Sequence, residues 1–280
     1  MRSQLWRVWR GLALVMAVSA MVACSPIAPA APEAAPDNPV QPELVVFAAA
    51  SLTDAFQAIG ETFAAEHDAV VTFNFAGSQQ LAQQLSGGAP ADVFASANAR
   101  QMEAAVGTGR IDAGTIQTFA HNRLVVVTPA DNPGEIATLA DLARPGIKLV
   151  LADSAVPVGQ YSLDFLAKAI AQGEMEEGYD EAVLANIVSY ENNVRTVLAK
   201  VVLGEADAGI VYSSDVTGEE RNRVQIIDIP DALNVVASYP VAPLQDSAHP
   251  ELAAAFVDYL RSARGQATLA EYGFIPITTE

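Results

Sequence analysis

Four times along this chain an apolar segment of strand length runs directly into a helical segment, with a small or neutral polar residue at the junction. The first is FAAASLTDAF, residues 47–56, where Ser51 separates an apolar run from residues at helical spacing. The first N–H groups of a helix lack partners within it, and the helix dipole places about half a positive charge there. A hydroxyl at such a junction either caps the helix or helps to hold an anion.

Three further junctions have the same form. They are NFAGSQQLAQQL (residues 74–85), ADSAVPVGQYSLDFL (152–166) and SYENNVRTVLAKV (189–201). Ser78 is predicted to cap the second helix, and Asn192 or Asn193 the fourth. In the third junction, Pro157 and Gly159 shape a loop whose backbone amides lead into a helix. Ligands of open α/β sheets lie beyond the carboxyl ends of strands, so these junctions are where a ligand is expected.

Strand and helix patterns alternate from residue 43 onward. Strands are predicted at 44–49, 70–75, 92–96, 124–128, 147–151, 209–212, 224–229 and 235–239. Helices are predicted at 52–66, 79–86, 99–106, 162–172, 180–184, 194–203 and 250–264. This alternation is typical of α/β proteins with mostly parallel sheets.

The first 24 residues have the pattern of a secretory signal. Arg2, Arg7 and Arg10 precede an apolar run at 11–23 that is too short to span a bilayer. The chain is therefore expected to be exported.

Cys24 is the one cysteine of the chain, so no internal disulfide is expected. It follows Met21, Val22 and Ala23, which resembles the lipobox of bacterial lipoproteins, where the cysteine is acylated; a free thiol is the alternative. Residues 25–42 contain six prolines among small residues. They are predicted to form a semi-rigid tether of about 50 Å, at roughly 3.1 Å per residue.

The charge balance excludes one class of partner. The chain has 15 basic and 33 acidic residues, and three of the basic ones lie in the signal. So acidic a protein is a poor partner for nucleic acid. A small buried ion is not excluded, because surface charge is screened beyond about 10 Å. The three histidines, His67, His121 and His249, lack metal-ligand spacing.

Six sequence strings point to one family when they are taken together and in order. They are FAAASLTDAF, FAGSQQL, APADVFASA, VPVGQYS, NNVR and GIVYSSD. Together they resemble the periplasmic molybdate-binding proteins of ABC importers, over residues 43–273. The resemblance implies a two-lobed α/β fold of the type II periplasmic-binding-protein class. Each lobe would be a mostly parallel sheet flanked by helices, with the ligand in the cleft. The first lobe would comprise residues 43–123 and 240–280, and the second residues 124–239, with hinges near 124–128 and 236–241.

The same resemblance implies five ligand donors for one tetrahedral oxyanion. Ser51 and Ser78 would donate through hydroxyl and backbone groups, Val158 and Val194 through backbone amides, and Tyr212 through its hydroxyl. These residues would hold molybdenum only as molybdate, through its oxygens. No catalytic residue and no cofactor is expected. Val158 replaces the alanine expected at its position, which affects the pocket volume more than the donor.

Uncharged donors suit molybdate, or tungstate, because this dianion carries no proton at neutral pH. A phosphate site instead gains from a carboxylate that accepts the ligand's proton. Four carboxylates lie near the predicted donors in sequence: Asp54, Asp92, Asp153 and Asp215. We expect capping or turn roles for them, but one facing the ligand would favour phosphate. One of the paired glutamines, Gln79 or Gln80, is close enough in sequence to reach the site.

The function predicted is capture of molybdate or tungstate for an ABC importer permease. The protein would be a monomer at the periplasmic or cell surface, anchored through Cys24. Sulfate or phosphate is the alternative ligand. An exported serine hydrolase with Ser51 or Ser78 as nucleophile is the rival from the enzyme class, but it needs a histidine beside that serine. An adhesion or signalling domain with this fold is a third alternative.

Overall fold

The computed structural model describes residues 41–218 and 220–277. Its strands are β1 (Glu43–Ala49), β2 (Val70–Ala76), β3 (Val93–Ala95), β4 (Gln117–Asn122), β5 (Leu124–Pro129), β6 (Leu149–Ala152), β7 (Ile187–Glu191), β8 (Ala208–Tyr212), β9 (Val224–Asp228), β10 (Ala237–Pro243) and β11 (Ile275–Pro276). Its helices are α1 (Thr53–His67), α2 (Ser78–Ser86), α3 (Ala99–Val106), α4 (Pro157–Ala171), α5 (Tyr179–Ala185), α6 (Val194–Val202), α7 (Pro250–Arg261) and α8 (Ala263–Glu271). The predicted signal, the lipidation site Cys24 and all but the last two residues of the tether lie outside the described residues.

The strands form two sheets, which define two lobes. The six-stranded sheet has the order β11-β4-β10-β3-β1-β2, and the five-stranded sheet has the order β7-β6-β8-β5-β9. We call the first sheet with its helices the first lobe, and the second sheet with its helices the second lobe. The two-lobed α/β fold is as predicted.

Both sheets are mixed, so the prediction of mostly parallel sheets is wrong in this detail. Helical crossovers make β1 parallel to β2 and β3, and β6 parallel to β7 and β8. The strands near the passage between lobes run the other way: β10 is antiparallel to β3 and β4, and β5 is antiparallel to β8 and β9. Strand β10, which brings the chain back from the second lobe, therefore runs opposite to both of its neighbours.

The chain passes between the sheets twice. The first passage is Arg123, between β4 and β5, and the second lies between the end of β9 and the start of β10. The sequence prediction assigned residues 237–239 to the second lobe. Since Ala237 and Tyr239 pair with β4, we describe these residues with the first lobe.

Several elements differ from the sequence pattern. The predicted closing helix at 250–264 is two helices, because Ser262 ends α7 and its side chain accepts a hydrogen bond from the Gly265 N–H (3.1 Å) at the start of α8. Helix α4 begins five residues before the predicted start. Strands β4, β7 and β11 were not predicted, and β4 lies inside the first sheet between β10 and β11.

An aromatic cluster holds α1 and α7 against the first sheet. The ring of Phe56 lies 5.7 Å from Phe119 and 5.8 Å from Phe256, and Phe63 lies 5.1 Å from Phe256, measured between centroids. All four rings are fully buried. Burial of such side chains contributes roughly 1.5 to 3 kcal/mol each. This packing fixes the helix that follows Ser51.

Candidate functional site

A small cavity lies between the two lobes. All five residues predicted to bind the oxyanion line it: Ser51, Ser78, Val158, Val194 and Tyr212. The rest of its wall is Ala49, Ala50, Gly77, Ala97, Val156, Pro157 and Asn193. Each of the five predicted residues is at most 3% exposed, so the cavity is shielded from solvent.

Ser51 lies in a short 3-10 turn rather than at the helix cap. This turn, Ala50–Leu52, joins β1 to α1, which begins at Thr53. The Ser51 hydroxyl makes no cap bond and instead lies 2.9 Å from the Tyr239 hydroxyl. The prediction that a serine stands at a strand-to-helix junction is confirmed, but its capping role is wrong.

Ser78 is the first residue of α2, and Gly77 is the capping residue. The Ser78 hydroxyl oxygen accepts a hydrogen bond from the Ala97 backbone N–H (3.0 Å). A capping role for Ser78 is therefore also wrong. A backbone N–H can only donate, so the Ser78 hydroxyl hydrogen is directed elsewhere and is available to the cavity.

Helix α4 presents backbone N–H groups to the cavity from the second lobe. It begins at Pro157, and its first intrahelical bond runs from the Gln160 N–H to the Val156 carbonyl (3.0 Å). The N–H groups of Val158 and Gly159 belong to the first turn and have no partner within the helix. Proline at the first helical position is favoured because its own missing N–H is not needed there.

Helix α6 points its N-terminus at the same cavity. Asn193 is the cap, and its side-chain oxygen accepts from the Thr196 N–H (3.0 Å). Of the two asparagines predicted as caps, the structure selects this one. The Val194 N–H is left free for a ligand, as are the first N–H groups of any helix.

Tyr212 ends β8 and is 1% exposed. Its hydroxyl has no hydrogen-bond partner among the residues that the structure describes. Burial raises the pKa of this phenol well above its usual value, so it stays protonated and able to donate. A buried hydroxyl without a partner is costly, which indicates that the site is built to receive an acceptor here.

The cavity wall carries no carboxylate and no cationic side chain. Asp92 accepts hydrogen bonds from the Val45 N–H (2.7 Å) and the Ser247 hydroxyl (2.6 Å), and Asp153 accepts from the Ala155 N–H (2.8 Å). Asp153 has the turn role expected of it, whereas Asp92 links β1 to the segment that follows β10.

The other two carboxylates belong to a charged cluster behind the cavity. Arg195 Nη2 lies 2.5 Å from Asp54 Oδ2, and Arg195 Nε lies 3.5 Å from Asp215 Oδ1. Asp215 is fully buried, and its other oxygen accepts from the Tyr212 N–H (3.0 Å). Burial raises the pKa of Asp215 to about 7, although Arg195 opposes the shift. None of the four carboxylates faces the cavity.

Side chains cross the cleft at several points. Gln79 Nε2 donates to the Asn192 carbonyl (2.8 Å), Gln101 Nε2 to the Ala155 carbonyl (3.0 Å), and Arg195 to Asp54. Gln79 therefore bridges the lobes instead of lining the cavity. These contacts hold the cleft in a closed conformation.

Neither cavity serine has a histidine partner. Ser51 contacts Tyr239 and Ser78 contacts Ala97, whereas the His121 ring contacts Ser238 (3.1 Å) and His67 stacks on Phe63. Within the described ranges there is no group of three or more residues arranged to bind a metal ion directly. The helices found in those ranges are also too short or too polar for any of them to cross a membrane.

Comparisons with known proteins show the family of the chain. The model of the bacterial extracellular solute-binding protein family matches residues 44–275. The chain belongs to this family. It is 41% identical to the molybdate-binding protein ModA of Mycobacterium tuberculosis over 265 residues, which cover 94% of this chain and 96% of that protein. The predicted resemblance is thereby confirmed.

Two solved structures share the fold. The periplasmic molybdate-binding protein of Azotobacter vinelandii aligns with a TM-score of 0.72 at 20% identity, covering 84% of this chain and 100% of that one. The sulfate-binding protein SubI of Mycobacterium tuberculosis aligns with a TM-score of 0.75 at 21% identity, covering 85% and 88%. Both support the two-lobed fold of this family member.

Sequence reasoning missed two residues beside the site. Tyr239 contacts the Ser51 hydroxyl, and Asn122 Nδ2 lies 3.4 Å from the Tyr239 hydroxyl. Tyr239 lies 188 positions from Ser51, so no local pattern pairs them. The only available signal was a tyrosine in a predicted strand next to the lobe boundary.

Proposed function

We propose that this protein binds molybdate in the cavity between its lobes, with tungstate as an equivalent ligand, and delivers it to an ABC importer. The observation that carries the proposal is the convergence of two serine hydroxyls, two helix N-termini and the partnerless Tyr212 hydroxyl on one buried, uncharged cavity. The 41% identity to a molybdate-binding protein supports the choice of ligand.

The donor set fits a fully deprotonated dianion. Ser51, Ser78 and Tyr212 offer hydroxyl hydrogens, and Val158 and Val194 offer backbone N–H groups. A hydrogen bond to a charged group contributes roughly 1.5 to 3 kcal/mol net, so several together can replace the hydration of the ion. No lining residue of the cavity offers a carboxylate to accept the proton of hydrogen phosphate.

Sulfate is the second candidate, because it is also a dianion without a proton and SubI shares the fold. The two ligands differ in size, so their relative affinities decide between them. Phosphate is disfavoured by the absence of a carboxylate in the wall. A binding role is also favoured over a serine hydrolase because the hydroxyls of Ser51 and Ser78 contact Tyr239 and the Ala97 N–H rather than a histidine.

The cellular setting completes the proposal. Export is supported by the signal pattern and by membership of the extracellular solute-binding protein family. A lipid on Cys24, followed by the proline-rich tether, would hold a monomeric binding domain near its permease. Palmitate labelling of the wild-type chain and of Cys24→Ser tests the anchor: the label should appear only on the wild type.

Calorimetry tests the ligand. The chain from Ser25 onward, which lacks the signal and Cys24, is titrated with molybdate, tungstate, sulfate and phosphate. We expect tight binding of molybdate and tungstate, with sulfate weaker by at least about 100-fold, a difference of roughly 2.7 kcal/mol. Preference for sulfate would replace molybdate with the second candidate. Hydrolysis of ester substrates that Ser51→Ala abolishes would contradict the binding role.

A further inference from the structure

We infer that Tyr239 and Asn122, which lie outside the cavity wall, set the direction of the Ser51 hydroxyl and so make the site select anions without a proton. The inference rests on the proposed function and deepens it. It assigns the two residues a positioning role in ligand specificity, exerted through Ser51.

The Asn122 amide has a fixed orientation. Its side-chain oxygen accepts from the Arg123 backbone N–H (2.9 Å) and from the Ser213 hydroxyl (3.0 Å). A backbone N–H is an obligatory donor, so the oxygen and not the nitrogen of the amide faces Arg123. The amide nitrogen must then face Ser214 (2.7 Å) and Tyr239 (3.4 Å), to which it donates.

The Tyr239 hydroxyl is thereby an acceptor toward Asn122. The Tyr212 hydroxyl is also nearby but makes no hydrogen bond with it, so the single hydrogen of Tyr239 is left for the Ser51 oxygen at 2.9 Å. Burial raises the pKa of Tyr239 well above its usual value, and the nearby Asp215 adds to this, so the phenol keeps its hydrogen at every pH of interest. Ser51 accepts this hydrogen bond.

A hydroxyl that accepts from behind points its own hydrogen forward. Ser51 therefore has its hydrogen free for the cavity, and one of its two lone pairs is occupied by Tyr239. Ser78 reaches the same state by a simpler route, because it accepts from the Ala97 N–H (3.0 Å). Each hydroxyl thus accepts a hydrogen bond from a neighbouring protein group, which leaves its own hydrogen for the ligand.

This direction matters for selectivity. A serine free to rotate offers either a hydrogen or a lone pair, so it accepts the proton of hydrogen phosphate or hydrogen arsenate. A serine held as a donor meets that proton with its own hydrogen, which is repulsive. Molybdate and sulfate carry no proton and meet no such repulsion.

The test compares hydrogen phosphate with molybdate and sulfate, which have the same charge but carry no proton. At about pH 8 phosphate is mainly the hydrogen phosphate dianion. The Kd values of molybdate, sulfate and phosphate are measured for the wild type, Tyr239→Phe and the matched control Tyr259→Phe, whose ring packs against Phe63 on the far side of α1. We expect Tyr239→Phe to weaken molybdate binding about threefold to tenfold and to reduce the ratio of the phosphate Kd to the molybdate Kd at least tenfold. Tyr259→Phe should leave both unchanged.

A second variant and a double mutant guard against a merely structural effect. Asn122→Asp removes the amide donor, so Tyr239 donates to the carboxylate and accepts from Ser51, which turns a lone pair to the cavity. In Asn122→Asp, the ratio of the phosphate Kd to the molybdate Kd should fall at least as far as it does in Tyr239→Phe. In a Ser51→Ala background, Tyr239→Phe should no longer change the ratio. Thermal midpoints identify variants that do not fold.

The outcomes are separable. A wild type that prefers sulfate over molybdate contradicts the proposed ligand, but the ratio of phosphate to sulfate still tests the positioning role. A wild type that binds hydrogen phosphate as tightly as the proton-free anions overturns the inference. Equal loss of all three affinities in Tyr239→Phe, or an unchanged ratio in both variants, overturns it as well.

Discussion

The two lobes contribute to the cavity in different ways. The first lobe supplies hydroxyl groups, from Ser51 and Ser78, which are held in place by Tyr239 and by the Ala97 N–H. The second lobe supplies mainly backbone N–H groups, from the first turns of α4 and α6. Residue identity therefore matters in the first lobe, whereas backbone conformation matters in the second. This explains why valine at position 158 is compatible with a donor role.

The two lobes can supply different donors to one ligand only if both contact it at the same time. A substitution at Gly77 tests whether they do. A Cβ on Gly77 would collide with the Asn192 carbonyl of the second lobe. The backbone angles of Gly77, φ −59° and ψ 137°, suit any residue. Gly77→Ala should therefore fold normally and block closure. Because several charged hydrogen bonds are then lost, we expect the molybdate Kd to rise by about 100-fold or more.

Gly87→Ala, at the other end of α2, is the matched control. Its Cβ would meet only ordinary contacts, at 3.4 Å or more, so affinity should stay within about twofold of the wild type. X-ray scattering of the wild type should show compaction with saturating molybdate, and Gly77→Ala should not. Wild-type compaction and affinity in Gly77→Ala would mean that the lobes do not close on the ligand as described.

The side-chain donors of the first lobe should each be needed. Ser51→Ala and Ser78→Ala are expected to weaken molybdate binding at least tenfold, since one hydrogen bond to a charged group contributes roughly 1.5 to 3 kcal/mol. Ser162→Ala is the control from the second lobe, because this buried hydroxyl bonds only to the Val158 carbonyl (2.7 Å). Calorimetry on all three decides the point, and unchanged affinity in both cavity variants would remove Ser51 and Ser78 from the site.

The backbone donors of the second lobe can be removed with proline. Val194 is the first residue of α6, where proline is tolerated, and the preceding Asn193 has the extended conformation that proline requires (φ −161°, ψ 165°). Val194→Pro deletes one N–H and should weaken binding about tenfold. Val194→Ala keeps the N–H, so its affinity should change less than about threefold even though it loses buried apolar surface.

The two Val194 variants must differ in molybdate affinity if the second lobe contributes its backbone N–H groups rather than its side chains. If Val194→Ala weakens molybdate binding as much as Val194→Pro, the side chain and not the amide is what the ligand needs. Circular dichroism and the thermal midpoint establish that α6 survives in both proteins.

The sequence located the site well because its signals are local. Apolar strands followed by small residues and helices marked three junctions, and the fourth was recognised from its helix start because its strand, β7, was not predicted. The family strings selected Ser51, Ser78, Val158, Val194 and Tyr212. All five line the cavity. Local patterns were less reliable for helix ends. Pro157 is itself a helix-start signal, yet α4 was predicted to begin only at residue 162.

The remaining errors concern contacts distant in sequence. Strand β4, with the sequence QTFAHN, has no clear alternation, and it lies inside the sheet only because β10 returns from the second lobe to pair with it. The mixed sheets follow from the same return. Tyr239 and Asn122 meet Ser51 for this reason too. Such tertiary pairings override local propensity and cannot be read from a short window of sequence.

The smallest predicted effect concerns Asp215, the buried carboxylate of the second lobe that accepts a hydrogen bond from the Tyr212 N–H. Burial raises the pKa of Asp215 to about 7, so the folded protein holds a proton there that the unfolded chain releases near pH 4. The resulting stabilisation is complete below about pH 4 and is lost as pH rises through about 7. Asp215→Asn keeps an acceptor for the Tyr212 N–H and cannot ionise. Its thermal midpoint should therefore rise relative to the wild type between these pH values.

Asp141→Asn is the control with the opposite sign. Hydrogen bonds from the Thr138 and Ala137 N–H groups lower the pKa of Asp141, so its contribution is present above about pH 4 and is lost as pH falls. The midpoint difference between Asp215→Asn and the wild type should grow with rising pH, and that of Asp141→Asn should shrink toward acid pH. A flat difference for Asp215→Asn from pH 4 to 8 would show that the carboxylate is ionised throughout. Arg195 would then outweigh the desolvation of Asp215, and the second lobe would hold a permanent charge pair behind Tyr212.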